Sequence, residues 1–202
     1  MAEELALMQR AQKGETAAFE EIVTTYEKKV YALALRFTGS EADAADIAQE
    51  AFLRAWKSLS KFRGESSTST WLYRITMNLC IDFSRRKNLQ SVPLTDDEGS
   101  ELPLPDTRTA NSPEAALENS EISRELQAAL GLLSEEHRQI VLLRDVSGLT
   151  YQEIASMLGL EEGTVKSRLA RARKNLRAIL LERGNISLPS ASKGQERRQE
   201  NG

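Results

Sequence analysis

The chain has 202 residues, 40% hydrophobic and 28% charged, the balance of a soluble globular protein with room for one ordinary domain or two small ones. No apolar run approaches the roughly 18 residues that cross a bilayer, the polar start MAEELALMQRAQKGE is unlike a signal peptide, and the lone Cys80 excludes an internal disulfide, so a cytoplasmic protein is expected. The net charge of −3 looks unpromising for a nucleic-acid binder, but the average hides a segregation of charge along the chain.

Apolar periodicity predicts an all-α fold of two small helical domains. Phe19, Ile22, Val23, Tyr26, Val30, Leu33, Ala34 and Phe37 recur at three- and four-residue steps, and Gly39 follows as a C-cap. Ser40 and Asp43 have the spacing of a capping box. The helix they open carries Ile47, Ala48, Ala51, Phe52, Ala55 and Trp56 as an inward stripe. A loop over residues 62–70 precedes a third helix, expected to begin at Trp71 with Leu72, Ile75, Leu79 and Phe83 inward. Trp71 and Tyr73 suit either the core or a stacking platform, with core favoured for Trp71. These helices form an N-terminal bundle over residues 1–88.

Residues 89–117 hold Pro93, Pro103, Pro105 and Pro113, with Asp96, Asp97, Glu98, Glu101, Asp106 and Glu114 against Arg108 alone. Proline cannot continue a helix and this composition cannot bury a core, so a flexible acidic linker is expected. Residues 118–184 read as helical again. Ile122, Leu126, Ala129, Leu130 and Leu133 make one amphipathic helix, and Ser134 is an N-cap for another that carries Ile140, Val141 and Leu143. The polar tail, residues 185–202, is expected to be disordered.

The segment LTYQEIASMLGLEEGTVKSRLARARKNLR is the most specific in the chain. Thr150 and Glu153 form a T-x-x-E box that starts a helix, with Ile154 and Leu158 inward and small Ala155 allowing close approach. Gly159 breaks the chain at a tight turn. The next helix buries Val165, Leu169, Ala172, Leu176 and Ile179. At about 100° per residue, Lys166, Ser167, Ala170, Arg171, Lys174 and Arg177 face the other way, flanked by Arg168 and Arg173. This is a helix-turn-helix with a basic outer face, suited to phosphates and base edges of duplex DNA. His137 and Cys80 are isolated, and no glycine-rich phosphate loop or metal-ligand cluster is present. A non-enzymatic DNA-binding protein is therefore expected, with no cofactor, no metal and no small-molecule substrate.

DAADIAQEAFLRAWKSLSKFRGESSTSTWLYRITMNLCIDFSRRK resembles the second conserved region of the extracytoplasmic-function sigma factors of bacterial RNA polymerase, and the helix-turn-helix segment is similar to their fourth region. The resemblance spans roughly residues 10–183. It implies that Asp46, Gln49, Glu50 and Leu53 grip a coiled coil of core RNA polymerase. It implies that the loop captures a flipped base of the single-stranded −10 element, with Ser66, Ser67, Thr68 and Ser69 offering small hydrogen-bonding groups and Asn78 lining the pocket. Arg74, Arg85, Arg86 and Lys87 would hold the DNA backbone, with Arg36 or Arg63 as helpers. Lys166, Ser167 and Arg171 would read bases of the duplex −35 element, and Thr164, Arg168, Arg173 and Lys174 its phosphates. Ala170 stands where some relatives carry an aromatic, which leaves the base preference there open. The family commonly uses an anti-sigma factor, so one is expected as a further partner. The reading set against this one is a helix-turn-helix regulator that acts independently of core polymerase. A Ser/Thr-rich loop and an acidic helix face also have plain structural readings, as a loop and a solvated surface.

Overall fold

Caps and turns in the sequence fix most helix ends. The computed structural model describes residues 2–90 and 113–183, with side chains over 3–87 and 121–183. Its helices are α1 (Ala2–Gln12), α2 (Thr16–Thr38), α3 (Glu41–Ser58), α4 (Thr68–Gln90), α5 (Pro113–Leu132), α6 (Glu135–Val141), α7 (Tyr151–Leu158) and α8 (Glu162–Glu182). No strand occurs among the described residues. A 3-10 turn, Leu59–Lys61, follows α3, and a π-helical turn, Leu142–Val146, follows α6.

Helix α2 ends where Gly39 turns left-handed and its N–H closes on the Leu35 carbonyl at 2.8 Å. The Ser40 hydroxyl then accepts from the Asp43 N–H and opens α3. Helix α4 begins three residues before the expected Trp71. The Ser67 hydroxyl accepts from the Thr70 N–H at 3.1 Å and its carbonyl from the Trp71 N–H at 3.0 Å, so Ser67 is the N-cap. Helix α1 has no counterpart in the sequence reading, yet it buries Met8 and Ala11 to 1% and 2% exposure.

In the N-terminal half, α1 to α4 enclose Ile22, Val30, Leu33, Leu72 and Met77, while Ala18, Ala34, Ala44, Ala51 and Ala55 let the helices approach closely. In the C-terminal half, Ile140, Leu142, Leu143, Ile154, Val165 and Leu169 are enclosed. Each such aliphatic side chain contributes about 1.5–3 kcal/mol by leaving water. Two expected core residues lie elsewhere. Trp56 is 39% exposed and packs on Phe19, ring centroids 4.9 Å apart, at the mouth of a surface groove. Ile122 is 51% exposed, whereas α5 buries Ala129 and Leu130 two turns further on.

The stretch expected to be linker, 89–117, carries helix at both ends. Helix α4 runs to Gln90, and Pro113 opens α5 at the position where its missing N–H costs nothing. The remainder of that stretch and the expected tail, 185–202, lie outside the described residues.

The two halves are packed together. Gln127 on α5 donates to the Leu35 and Arg36 carbonyls at 3.3 and 3.2 Å. Arg138 on α6 donates to the Phe37 carbonyl at 2.9 Å, with its guanidinium over the Phe37 ring. The Arg36 and Phe37 carbonyls are last-turn acceptors of α2 that helix geometry leaves without intrahelical donors, while the Leu35 carbonyl also accepts from Gly39. Buried side chains from both halves form one connected cluster.

Candidate nucleic-acid interface

The helix-turn-helix is held by its own short-range chemistry. Thr150 and Glu153 cap α7 reciprocally, with the Glu153 N–H on the Thr150 hydroxyl at 3.2 Å and the Thr150 N–H on the carboxylate at 2.8 Å. Gly159 ends α7 at φ +64°, a conformation that side chains rarely adopt, and this turns the chain into α8. Val165, Leu169 and Ala172 are then driven inward, which leaves Thr164, Lys166, Ser167, Ala170, Arg171 and Lys174 exposed on the outer face.

Several of these basic groups already have partners. Lys166 pairs with Glu162 at 2.6 Å and lies over the Tyr151 ring. Arg168, partly buried, pairs with Glu136 at 3.2 Å. Arg173 grips Asp145 through two nitrogens, with Nε to Oδ2 at 3.0 Å. The Ser167 hydroxyl donates to the Thr164 carbonyl at 3.0 Å. Arg171 and Lys174 have no ion pair among the described residues. Surface pairs of this kind contribute about 0–1 kcal/mol, so a polyanion can displace them at little cost.

The loop between the 3-10 turn and α4 exposes Arg63, Gly64 and Glu65, with Ser66 half-buried. Gly64 sits at φ +74°. Ser67 remains exposed as the cap of α4, its hydroxyl 2.9 Å from that of Ser69 and 2.7 Å from that of Thr70. Thr68 is only 4% exposed. It is the first residue of α4 and turns into the protein, so it does not stand on the open side of the loop as the sequence suggested. Along α4, Arg74, Asn78 and Arg85 fall within about 40° of one another at 3.6 residues per turn. Asn78 and Arg85 are exposed, whereas Arg74 is partly buried with its Nε enclosed and unbonded. Arg36 likewise encloses one Nη unbonded, and Arg86 is exposed with Nε on the Asp82 carbonyl. Trp71 is half-buried against Phe62, ring centroids 5.1 Å apart, and Tyr73 is core at 5% exposure. Burial pushes the Cys80 thiol up to about 12, far from reactivity at neutral pH.

The four residues expected to contact polymerase fall within about 100° of one another around α3, on one face, at 3.6 residues per turn. Gln49 and Leu53 open with Phe52 and Trp56 onto an apolar groove completed by Phe19 and Val23 of α2. Leu53 is 47% exposed. Asp46 and Glu50 border the neighbouring recess, shared with Phe83, Arg86 and Lys87 of α4. Glu50 is bonded to Arg54 at 2.7 Å, and that guanidinium holds its carboxyl below the ordinary glutamate range.

The family described as Sigma-70 region 2 matches residues 22–90, and that described as Sigma-70, region 4 matches residues 123–176. The ECF RNA polymerase sigma-E factor of Haemophilus influenzae is 35% identical over 181 residues, covering 86% of this chain and 95% of that protein. The ECF RNA polymerase sigma factor SigE of Mycolicibacterium smegmatis is 35% identical over 174 residues, covering 86% of this chain and 66% of that one. Among solved structures, CnrH in complex with the cytosolic domain of CnrY aligns with a TM-score of 0.66 at 25% identity, over 90% of this chain and 99% of that chain. The chain belongs to the extracytoplasmic-function sigma factors.

As a sigma factor it directs RNA polymerase to promoters, and neither matched region is a catalytic one. No described helix of this sigma factor is long and apolar enough to cross a membrane. Three features escaped the sequence reading. Helix α1 of the sigma factor precedes the matched span, and its signal was Leu5, Met8 and Ala11 at three-residue steps before Gly14. Gln127 and Arg138 gave none, because a polar side chain that serves a distant carbonyl leaves no periodic trace.

Proposed function

We propose that residues 1–88 form a region-2-like body that binds core polymerase and the single-stranded −10 element, and residues 118–184 a region-4-like body that reads the −35 duplex. The observation that carries this reading is the outer face of α8, where Lys166, Ser167, Arg171 and Lys174 stand exposed beside a buried apolar face. Arg171, which has no ion pair among the described residues, is the leading base-edge contact, since a guanidinium can bind guanine through two hydrogen bonds. Lys166 and Ser167 are its neighbours in that role. Thr164, Arg168, Arg173 and Lys174 serve phosphates, with Arg168 and Arg173 first exchanging Glu136 and Asp145 for DNA. At the −10 element, Ser66, Ser67 and Ser69 offer hydroxyls to an extruded base while Arg63, Asn78, Arg85 and Arg86 line the approach. Thr68 and Arg74 act from within the protein, supporting that surface.

Core polymerase is proposed to sit on α3, with Leu53 and Gln49 in the apolar groove and Asp46 and Glu50 as a polar flank. The contiguous apolar lining of the groove, Phe19, Val23, Phe52, Leu53 and Trp56, supports a partner surface there. The protein would act in the cytoplasm, by binding energy alone and with no catalytic step. A protein inhibitor is a further proposed partner, in keeping with CnrH having been solved with the cytosolic domain of CnrY. Run-off transcription from a promoter library, with core polymerase alone and with the added chain, tests the whole reading. Selective initiation that depends on the chain supports it; failure to bind core or to initiate refutes it.

A further inference from the structure

Helix α1 lies against the loop assigned above to base capture. The Gln12 amide nitrogen donates to two carbonyls at the loop's entrance, Leu59 at 3.0 Å and Phe62 at 2.7 Å. Its two N–H bonds are thereby committed to the end of the 3-10 turn, whose own closing bond, Phe62 N–H to Leu59 carbonyl, is 3.1 Å. Leu5, one face further up α1, lies beside Gly64: a Cβ built on that glycine would meet the leucine Cδ1 at 3.8 Å. The far end of the loop is held separately, by Ser67 capping α4. Residues 63–66 thus span two fixed stems, and the upstream stem is fixed from α1. Helix α1 is itself anchored by the buried Met8 and Ala11 and by the bond between Glu4 and the Tyr26 hydroxyl.

We propose that Gln12 is a positioning residue for −10 recognition, holding the loop in the shape that accepts an extruded base. The inference rests on the base-capture reading of the loop. It goes beyond that reading because α1 lies outside the matched region 22–90 and Gln12 is half-buried, with its amide nitrogen committed to the two carbonyls. A pocket for one base discriminates only while its hydrogen-bonding groups stay within a fraction of an ångström of their places. Two carbonyls gripped by one amide prevent the entrance from relaxing.

The test uses holoenzyme assembled from full-length chain and core polymerase. The probe is fork-junction DNA carrying a single-stranded −10 segment from the strongest promoter the wild type selects, either intact or with each −10 base replaced in turn by an abasic site. The variants are Gln12→Glu, which keeps the shape but sets a carboxylate against two carbonyls, and Gln12→Ala. Wild type is expected to lose affinity sharply at one or two abasic positions. In both variants that ratio of intact to abasic affinity falls roughly tenfold, the size of effect expected for two ordinary hydrogen bonds, while core affinity and −35 duplex binding are unchanged. An unaltered ratio in both variants, or a loss equal at every DNA position, overturns the role of Gln12. A wild type indifferent to every abasic site instead refutes base capture by the loop, and the inference falls with it.

Discussion

The Thr70 hydroxyl donates to the Glu153 carboxylate at 2.7 Å, bonding residues 83 positions apart, one from each half of the chain. Thr70 lies at the start of α4, beside the loop. Glu153 is the residue that completes the capping box of α7. Since the single proton of Thr70 is committed to Glu153, the Ser67 hydroxyl must be the donor in its 2.7 Å contact with Thr70. A relay of hydroxyls therefore runs from the loop stem to the helix-turn-helix.

Glu153→Ala removes half of the capping box and leaves the Thr70 hydroxyl, only 1% exposed, without its acceptor. The expected cost is about 1–3 kcal/mol, or a fall in Tm of roughly 2–10 °C. Thr70→Val, which keeps the shape and spares the capping box, should cost about 0.5–1.5 kcal/mol. Thermal melts followed by circular dichroism decide the matter, and two unshifted Tm values would mean that this contact is not held in solution.

The same carboxylate sets a pH dependence. Burial alone would raise the Glu153 pKa, but hydrogen bonds from the Thr150 N–H and from the Thr70 and Thr150 hydroxyls outweigh it and hold the carboxyl below its ordinary value. A folded-state pKa below the unfolded one gives stability that is complete above the ordinary glutamate value of about 4.3 and lost as pH falls through the lower folded value. Urea titrations from pH 7 down to pH 3 should show wild type losing more stability than Glu153→Gln at the acid end. Parallel curves would contradict the shift.

Arg171→Ala should reduce −35-dependent transcription by about 5- to 150-fold and relax base preference at one position, as loss of a direct base contact does. Asp145→Ala acts in the opposite sense, since it releases Arg173 from its ion-pair partner. That variant should bind promoter DNA more tightly, whereas Arg173→Ala should bind it more weakly with a salt dependence shallower by about one unit of slope in a log–log plot. Binding isotherms at several salt concentrations give both readouts, and a slope unchanged by Arg173→Ala would show that Arg173 makes no phosphate contact.

On α3, Leu53→Ala should weaken core polymerase binding by about fivefold or more, as truncation of an anchoring side chain does. Glu50→Ala should weaken it less, because its charge is already shared with Arg54. Affinities for −35 duplex should stay constant in both. If both variants bind core as tightly as wild type, the docking face lies elsewhere.

Local signals made much of this molecule legible. Gly39 and Gly159 end helices because the left-handed turn needs them, and Ser40, Ser134 and Thr150 start helices because their hydroxyls satisfy first-turn N–H groups. The 3.6-residue period then separates the buried Val165, Leu169 and Ala172 from the exposed Lys166, Ser167 and Arg171, so the candidate −35 face could be drawn before any coordinates. Each of these depends on residues within one or two helical turns of each other.

Tertiary structure decided whatever depends on a partner far along the chain. Thr68 falls inside because Ser67 caps α4 earlier than the apolar period alone suggested, and the bundle then encloses the helix's first turn. Trp56 moves from the expected core to a groove because Phe19 of α2, not the bundle centre, is its neighbour. Gln49 and Leu53 border a groove made with α2 while Asp46 and Glu50 border a recess made with α4, and the neighbours that complete each are not a property of α3 alone. Gln12 on Leu59 and Phe62, Gln127 and Arg138 on the end of α2, and Thr70 on Glu153 are all hydrogen bonds between groups 47 to 101 positions apart. Such bonds arise only when burial of unrelated side chains has already brought their helices together, so sequence determines the helices and their faces while packing determines which polar groups meet.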